Sequence, residues 1–135
     1  MAKPKKTIDK KVLIVEDESS LLQALAIKFR QEGFKVLIAS NGEDGLECAL
    51  KERPDLILLD IIMPKMGGVA MLKKLRENKE YVAIPVILLT NLGYGQEVEE
   101  AIKYGVTDFL VKTNWKLEDV INKAKQKLCL DGYHP

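Results

Sequence analysis

Asp60 ends the run "LILLD" (56–60), where four apolar residues suited to a buried strand meet a carboxylate. Burying a lone carboxylate is costly unless a partner or a cation neutralises it. Three other apolar runs end on polar residues. "KVLIV" (11–15) is followed by Glu16, Asp17 and Glu18, "PVILL" (85–89) by Thr90, and "DFLV" (108–111) by Lys112. "KVLIA" (35–39) is followed only by Ser40 and Asn41. Carboxylates are hard oxygen ligands that suit Mg²⁺, with Asp17 and Asp60 the best direct ligands and Glu16 acting directly or through water. A lysine ammonium is a point charge for a phosphoryl oxygen or a carboxylate, and a threonine hydroxyl can donate to a phosphoryl oxygen. Phosphoryl transfer asks for positioning and charge neutralisation, and Asp60 could be its nucleophile by forming an acyl phosphate. Any one of these residues could instead cap a helix or solvate a loop end, as Asp and Ser do ahead of helices. Their recurrence at equivalent strand ends favours one shared site.

The elements that must position them alternate along the chain. Between the apolar runs lie helical periodicities. Leu22, Leu25 and Phe29 share one face, then Leu46, Ala49 and Leu50, then Val69, Leu72 and Leu75. Val98, Ala101 and Ile102 form a fourth face, and Leu117, Val120, Ile121, Ala124 and Leu128 a fifth. "EGF" (32–34), Pro54 and Gly105 close helices, while "NG" (41–42) opens one. Continuous apolar strands alternating with amphipathic helices imply a parallel sheet covered on both faces. The expected fold is a single α/β sandwich of five βα units. In such sheets, sites form outside the carboxyl ends of the strands, where the polar residues fall.

Composition narrows the function. The 135 residues carry a net charge of +1, which gives no bulk argument for nucleic-acid or anionic-membrane binding. The apolar stretches are far short of a membrane span, and the start "MAKPKKTIDKK" lacks the apolar core of a signal peptide. Its lysines, Lys3, Lys5, Lys6, Lys10 and Lys11, have no aromatic interleaving and suit a solvated terminus better than a nucleic-acid arm. Cys48 and Cys129 are read as reduced thiols of a cytoplasmic protein.

The motifs "VLIVEDE" (12–18), "DLILLDIIMPKMGG" (55–68), "PVILLT" (85–90) and "GVTDFLVK" (105–112) stand in order, and together they resemble the receiver domain of bacterial two-component response regulators. The resemblance implies a flavodoxin-like (βα)5 sandwich of strand order 2-1-3-4-5 with helices on both faces. It divides the chain into a basic flexible N-terminus (1–9), a receiver domain (10–128) and a short tail (129–135). It makes Asp60 the phosphoacceptor, Glu16 and Asp17 the acidic pair that joins it in binding Mg²⁺, and Thr90 and Lys112 the groups that meet the phosphoryl group. Phosphorylation would draw Thr90 inward and let Phe109, the switch aromatic, fill the vacated space, changing the face of helix four, strand five and helix five. Phe109 could equally well be plain strand packing. The implied partners are a sensor histidine kinase or phosphotransfer protein and a downstream protein. Direct nucleic-acid contact and a membrane are not expected, and the chain would be a monomer or a phosphorylation-dependent dimer. It is expected not to be an enzyme, yet to promote its own Mg²⁺-dependent phosphotransfer and dephosphorylation.

Several residues depart from the family pattern. Thr113 follows Lys112 where proline, often cis, is usual, so a trans peptide and a re-routed loop are expected. Asn91 stands where a small residue is usual, and "MGG" (66–68) suggests a more flexible loop. Ile62 and Leu92 are apolar and cannot orient an attacking water, so a long-lived acyl phosphate is expected. Gly93 and Gly95 are too few for a phosphate cradle, and Trp115 suits a boundary position against helix five. The alternative is an interaction module of the same fold that is never phosphorylated. An aspartyl phosphatase is disfavoured by Ile62, where a second acid would be needed. A flavin or dinucleotide binder is disfavoured by the acids of "EDESS" (16–20).

Overall fold

The computed structural model describes residues 7–79, 84–90, 95–106, 108–112 and 116–128. Lys3, Lys5, Lys6, Asn91, Leu92, Gly93, Thr113, Trp115 and Cys129 lie outside the described residues, and with them the Lys112–Thr113 peptide. The elements run β1 (Lys11–Val15), α1 (Ser19–Gln31), β2 (Lys35–Ala39), α2 (Gly42–Glu52), β3 (Leu56–Asp60), α3 (Gly68–Glu77), β4 (Val86–Thr90), α4 (Gln96–Lys103), β5 (Asp108–Val111) and α5 (Leu117–Lys127). The strands form one parallel sheet of order β2-β1-β3-β4-β5. This is the expected fold and strand order.

Successive side chains on a strand face opposite sides of the sheet, so the apolar runs supply two cores at once. Leu13, Val15, Ile57, Leu59 and Leu88 pack with Ala49 of α2, Met71, Leu72 and Leu75 of α3, and Val98 and Ala101 of α4. Val12, Ile14, Leu56, Leu58, Ile87 and Leu89 pack with Leu22, Leu25, Ala26 and Phe29 of α1 and with Val120, Ile121 and Ala124 of α5. Every residue of β3 and β4 is buried. This is why those two segments read as continuous apolar runs.

Helix boundaries follow local chemistry. Asn41 caps α2 by accepting the Asp44 backbone N–H on Oδ1 at 2.9 Å. Gly33 (φ 101°) and Gly105 (φ 90°) take the left-handed conformation after α1 and α4, which glycine adopts without penalty. Two helical faces differ from expectation. Leu50 is 38% exposed and Ile102 is 52% exposed. In α2 the buried face is made by Gly42, Gly45 and Ala49, because small residues let that helix lie close to the sheet. In α4 only Val98 and Ala101 are buried, since eight residues offer a narrow stripe.

Candidate functional site

Parallel pairing in register brings the strand ends into one row. Val15 pairs with Leu59, Asp60 with Leu89, and Thr90 with Val111. The Glu16 N–H extends the ladder by donating to Ala39 O at 3.1 Å, and the Lys112 N–H donates to Thr90 O at 2.6 Å. Asp60 and Thr90 are therefore the last residues of β3 and β4, while Glu16 and Lys112 directly follow β1 and β5. Together with Asp17 they line a cavity of about 300 Å³ that also meets Ile62. Of the six site residues named from the sequence, Glu16, Asp17, Asp60, Thr90 and Lys112 meet there, and Phe109 does not.

The side chains divide the work of neutralisation unevenly. Glu16 is fully buried, and its Oε2 accepts the Glu18 backbone N–H at 3.0 Å. Its Oε1 is ion-paired with Lys112 Nζ at 2.6 Å, and the same Nζ lies 3.3 Å from Asp60 Oδ2. One ammonium thus serves two buried carboxylates. Burial pushes the Asp60 carboxyl up, the Glu16 charge pushes it further, and Lys112 pulls only partly back, leaving it at about 7. Burial pulls Lys112 down, but its contacts with Glu16 and Asp60 outweigh this and hold it above the usual lysine value. The lysine stays charged and the pocket keeps a surplus of negative charge.

That surplus fits a hard divalent cation. Glu16, Asp17 and Asp60 each offer a carboxylate oxygen, and these oxygens lie within 4.8 Å of one another. Asp17 is exposed, so the cluster opens to solvent on its side. Thr90 is 2% exposed and lines the cavity together with Asp60. Phe109 is not in the cavity lining. It is half-buried on β5, opposite Leu88, packed against the core cluster on the α2–α3–α4 side. Cys48 is half-buried on α2, where burial and then Glu52 and Glu47 push its thiol up, which suits an inert thiol.

Sequence reasoning missed the support beneath the site. The Gly68 N–H donates to Ile61 O at 2.7 Å and the Gly42 N–H to Met66 O at 2.9 Å. A Cβ at Gly68 would sit 2.3 Å from Asp60 O. The glycines of "MGG" (66–68) and "NG" (41–42) were visible as a flexible loop and a helix start. At Gly68 the requirement is close approach to the Asp60 backbone, which only the folded chain reveals.

The family model of the response regulator receiver domain matches residues 12–125. Among curated proteins, the chain is 34% identical over 105 residues to the alkaline phosphatase synthesis transcriptional regulatory protein PhoP of Bacillus subtilis, covering 78% of this chain and 43% of that protein. It resembles the CheY-like response regulator receiver domain protein of Methanospirillum hungatei JF-1, with a TM-score of 0.83, 27% identity, and coverage of 90% of this chain and 95% of that one. The chemotaxis response regulator CheY4 of Vibrio cholerae gives a TM-score of 0.80 and 30% identity over 87% of this chain and 98% of that one. The chain spans about two fifths of the length of PhoP, and its share of other curated relatives is similar.

One expectation is corrected by these matches. The chain was expected to promote its own Mg²⁺-dependent phosphotransfer and dephosphorylation. The matched family is a receiver domain and the matched curated proteins are regulators, so the findings attach no such activity to it. The physical reason is that an acidic pocket beside a lysine can hold a phosphoryl group as readily as it can turn one over, and residue types alone do not separate the two. Family model, regulator homology and sheet topology agree, and the chain belongs to the receiver domains of response regulators.

Proposed function

We propose that the chain is a phosphorylation-controlled signalling switch whose phosphoacceptor is Asp60. The observation that carries this reading is the cluster of Glu16, Asp17 and Asp60 oxygens within 4.8 Å, with Lys112 Nζ 3.3 Å from Asp60 Oδ2. The donor is a phosphohistidine of a sensor histidine kinase or phosphotransfer protein. An Asp60 oxygen attacks phosphorus, the N–P bond breaks, and the imidazole leaves with the bonding pair while the acyl phosphate forms. Lys112 and the Thr90 hydroxyl meet the incoming phosphoryl oxygens, and Lys112 exchanges part of its pairing with Glu16 for them. Glu16, Asp17 and Asp60 would hold Mg²⁺, which supplies neutralising charge to the same oxygens.

Phe109 and Thr90 are the switch pair: Thr90 ends β4 and Phe109 lies on β5, so a shift at one strand end is felt across a neighbouring strand. The altered face of α4, β5 and α5 then meets a downstream protein rather than nucleic acid. No helix among the described residues is long and apolar enough to cross a membrane. The proposed setting is cytoplasmic. The functional unit is residues 10–128, between a basic N-terminus (1–9) and a short tail (129–135). It acts as a monomer or as a phosphorylation-dependent dimer.

Beryllofluoride, a tetrahedral stand-in for a phosphoryl group on a carboxylate, tests the site without needing the cognate donor. Fluorine NMR of the chain with Mg²⁺ and beryllofluoride is expected to give a bound resonance that disappears when Mg²⁺ is omitted and in Asp60→Asn. Absence of bound signal in the parent chain, with no Mg²⁺ binding either, would favour an interaction module that is never phosphorylated.

A further inference from the structure

The residues that touch the acidic cavity do not by themselves explain how the backbone carrying Asp60 is held. The connection from β3 to α3 leaves Asp60, runs through Met66 and Gly67, and returns to the end of β3. There the Gly68 N–H donates to Ile61 O at 2.7 Å, and a Cβ at Gly68 would meet Asp60 O at 2.3 Å and Ile61 Cα at 2.9 Å. The far side of the same loop leans on another element. The Gly42 N–H, in the first turn of α2, donates to Met66 O at 2.9 Å. A Cβ at Gly42 would lie 2.2 Å from that oxygen, 2.8 Å from the Met66 carbonyl carbon and 2.9 Å from its Cβ.

These distances separate two reasons for a glycine. Gly42 does not need a left-handed backbone; its conformation is open to any residue. What excludes a side chain is the Met66 main chain, which cannot rotate away as a side-chain tip could. The first turn of α2 is itself held in place. Asn41 is 5% exposed, its Oδ1 accepts the Asp44 N–H, and its Nδ2 donates to Asp44 Oδ2 at 2.9 Å. One turn on, Gly45 lies against Val15 and Met71, where a Cβ would sit 3.0 Å from Met71 Sδ and from both Val15 methyl carbons. A fixed helix end thus presses on Met66, and the loop passes that constraint through Gly68 to the Asp60 backbone.

We propose that Gly42 is a positioning residue for Asp60: the amino end of α2 sets the height of the β3–α3 loop, and through it the placement of the Asp60 carboxylate relative to Glu16 and Asp17. This rests on Asp60 being the phosphoacceptor. Gly42 is not among the residues that line the cavity; it acts only through Met66 and Gly68. Displacements of about 1 Å in a site of this kind cost up to about a hundredfold in function. A Cβ only 2.2 Å from a backbone oxygen must move away by about that much to reach an ordinary contact distance.

The test compares Gly42→Ala with Gly67→Ala. The latter adds a methyl to the β3–α3 loop itself, where it would meet only Ile61 O at 3.3 Å. Both variants are titrated with Mg²⁺ by calorimetry and with beryllofluoride by fluorine NMR, at a temperature where circular dichroism shows them folded. Gly42→Ala is expected to bind each ligand about tenfold or more weakly and to shift the amide resonances of Ile61 and Gly68, and Gly67→Ala to stay within about twofold of the parent. A purely structural role would lower the melting temperature and leave both affinities unchanged, and that result overturns the proposal. If Gly42→Ala does not fold, Asn41→Ala decides instead: it loosens the same helix end without adding an atom, and unchanged affinities there overturn the proposal equally. Failure of the parent chain to bind beryllofluoride would count against Asp60 as phosphoacceptor, a different outcome from equal binding by parent and Gly42→Ala.

Discussion

At the scale of single residues, the site turns on how two buried carboxylates, Glu16 and Asp60, share one ammonium. Lys112 sits closer to Glu16 than to Asp60, so the group proposed to react is the less neutralised of the two. The consequence is measurable in cation-free protein. Asp60 is held at about 7 in the fold, against an ordinary carboxylate value near 3.9 in the unfolded chain. Between those values the folded protein keeps a proton that the unfolded chain has lost, so the unfolded state binds fewer protons and stability falls as pH rises. This contribution is fully present below about pH 4 and lost between about pH 4 and 7. Urea denaturation at pH 5 and pH 8, in Mg²⁺-free buffer, is expected to show the parent losing stability relative to Asp60→Asn as pH rises. An equal slope in both proteins would mean that Asp60 is ionised throughout.

At the scale of elements, α5 is braced to α1 by charge as well as by packing. Glu32, just past the end of α1, is 4% exposed and pairs with Lys125 of α5 at 2.9 Å and with Lys28 at 3.8 Å. Lys28 in turn lies 3.1 Å from Glu118 at the start of α5. Removing Glu32 takes the carboxylate from Lys125 while Lys28 keeps Glu118, so Glu32→Ala is expected to cost about 1–3 kcal/mol in chemical denaturation. The exposed Lys35–Asp9 pair, at 3.2 Å, is the contrast, and Lys35→Ala is expected to leave stability unchanged within error. The existence and order of the strands and helices were legible in the sequence, because apolar periodicity is a local property. β1, β2 and β5 match the expected runs, β3 reaches one residue further, to Asp60, and β4 is shifted by one residue, to Val86–Thr90. The outward placement of Leu50 and Ile102 was not legible, since periodicity gives a face but not its width. The brace through Glu32 was not legible either, because its partners on α5 are remote in sequence.

At the scale of the whole molecule, one sheet serves two cores. Neighbouring residues of β1 and β3 belong to opposite layers, Leu13 and Ile57 to one and Val12 and Leu56 to the other. Neither layer can loosen without exposing strands that the other needs, so the domain is expected to unfold as one unit. Phe29→Ala on the α1 side, where Phe29 meets Phe34 edge-on at 5.2 Å, and Leu72→Ala on the α3 side each create a cavity. They are expected to cost about 3–5 and 2–5 kcal/mol respectively, each lowering the midpoint of the same single urea transition. Two separable transitions in either variant would contradict a shared core.

The sequence by itself determined the alternation of strands and helices, the parallel sheet, and the identities of Glu16, Asp17, Asp60, Thr90 and Lys112 at its carboxyl edge. Those follow from short-range patterns and from the rule that such sheets carry their sites at strand ends. Only the tertiary structure decided that Lys112 favours Glu16 over Asp60, that Phe109 rests on the core rather than in the cavity, and that Gly42 and Gly68 have no room for a side chain. Each of these depends on a distance of a few ångströms between segments far apart in the chain. Composition and spacing carry no record of such distances, which packing alone sets.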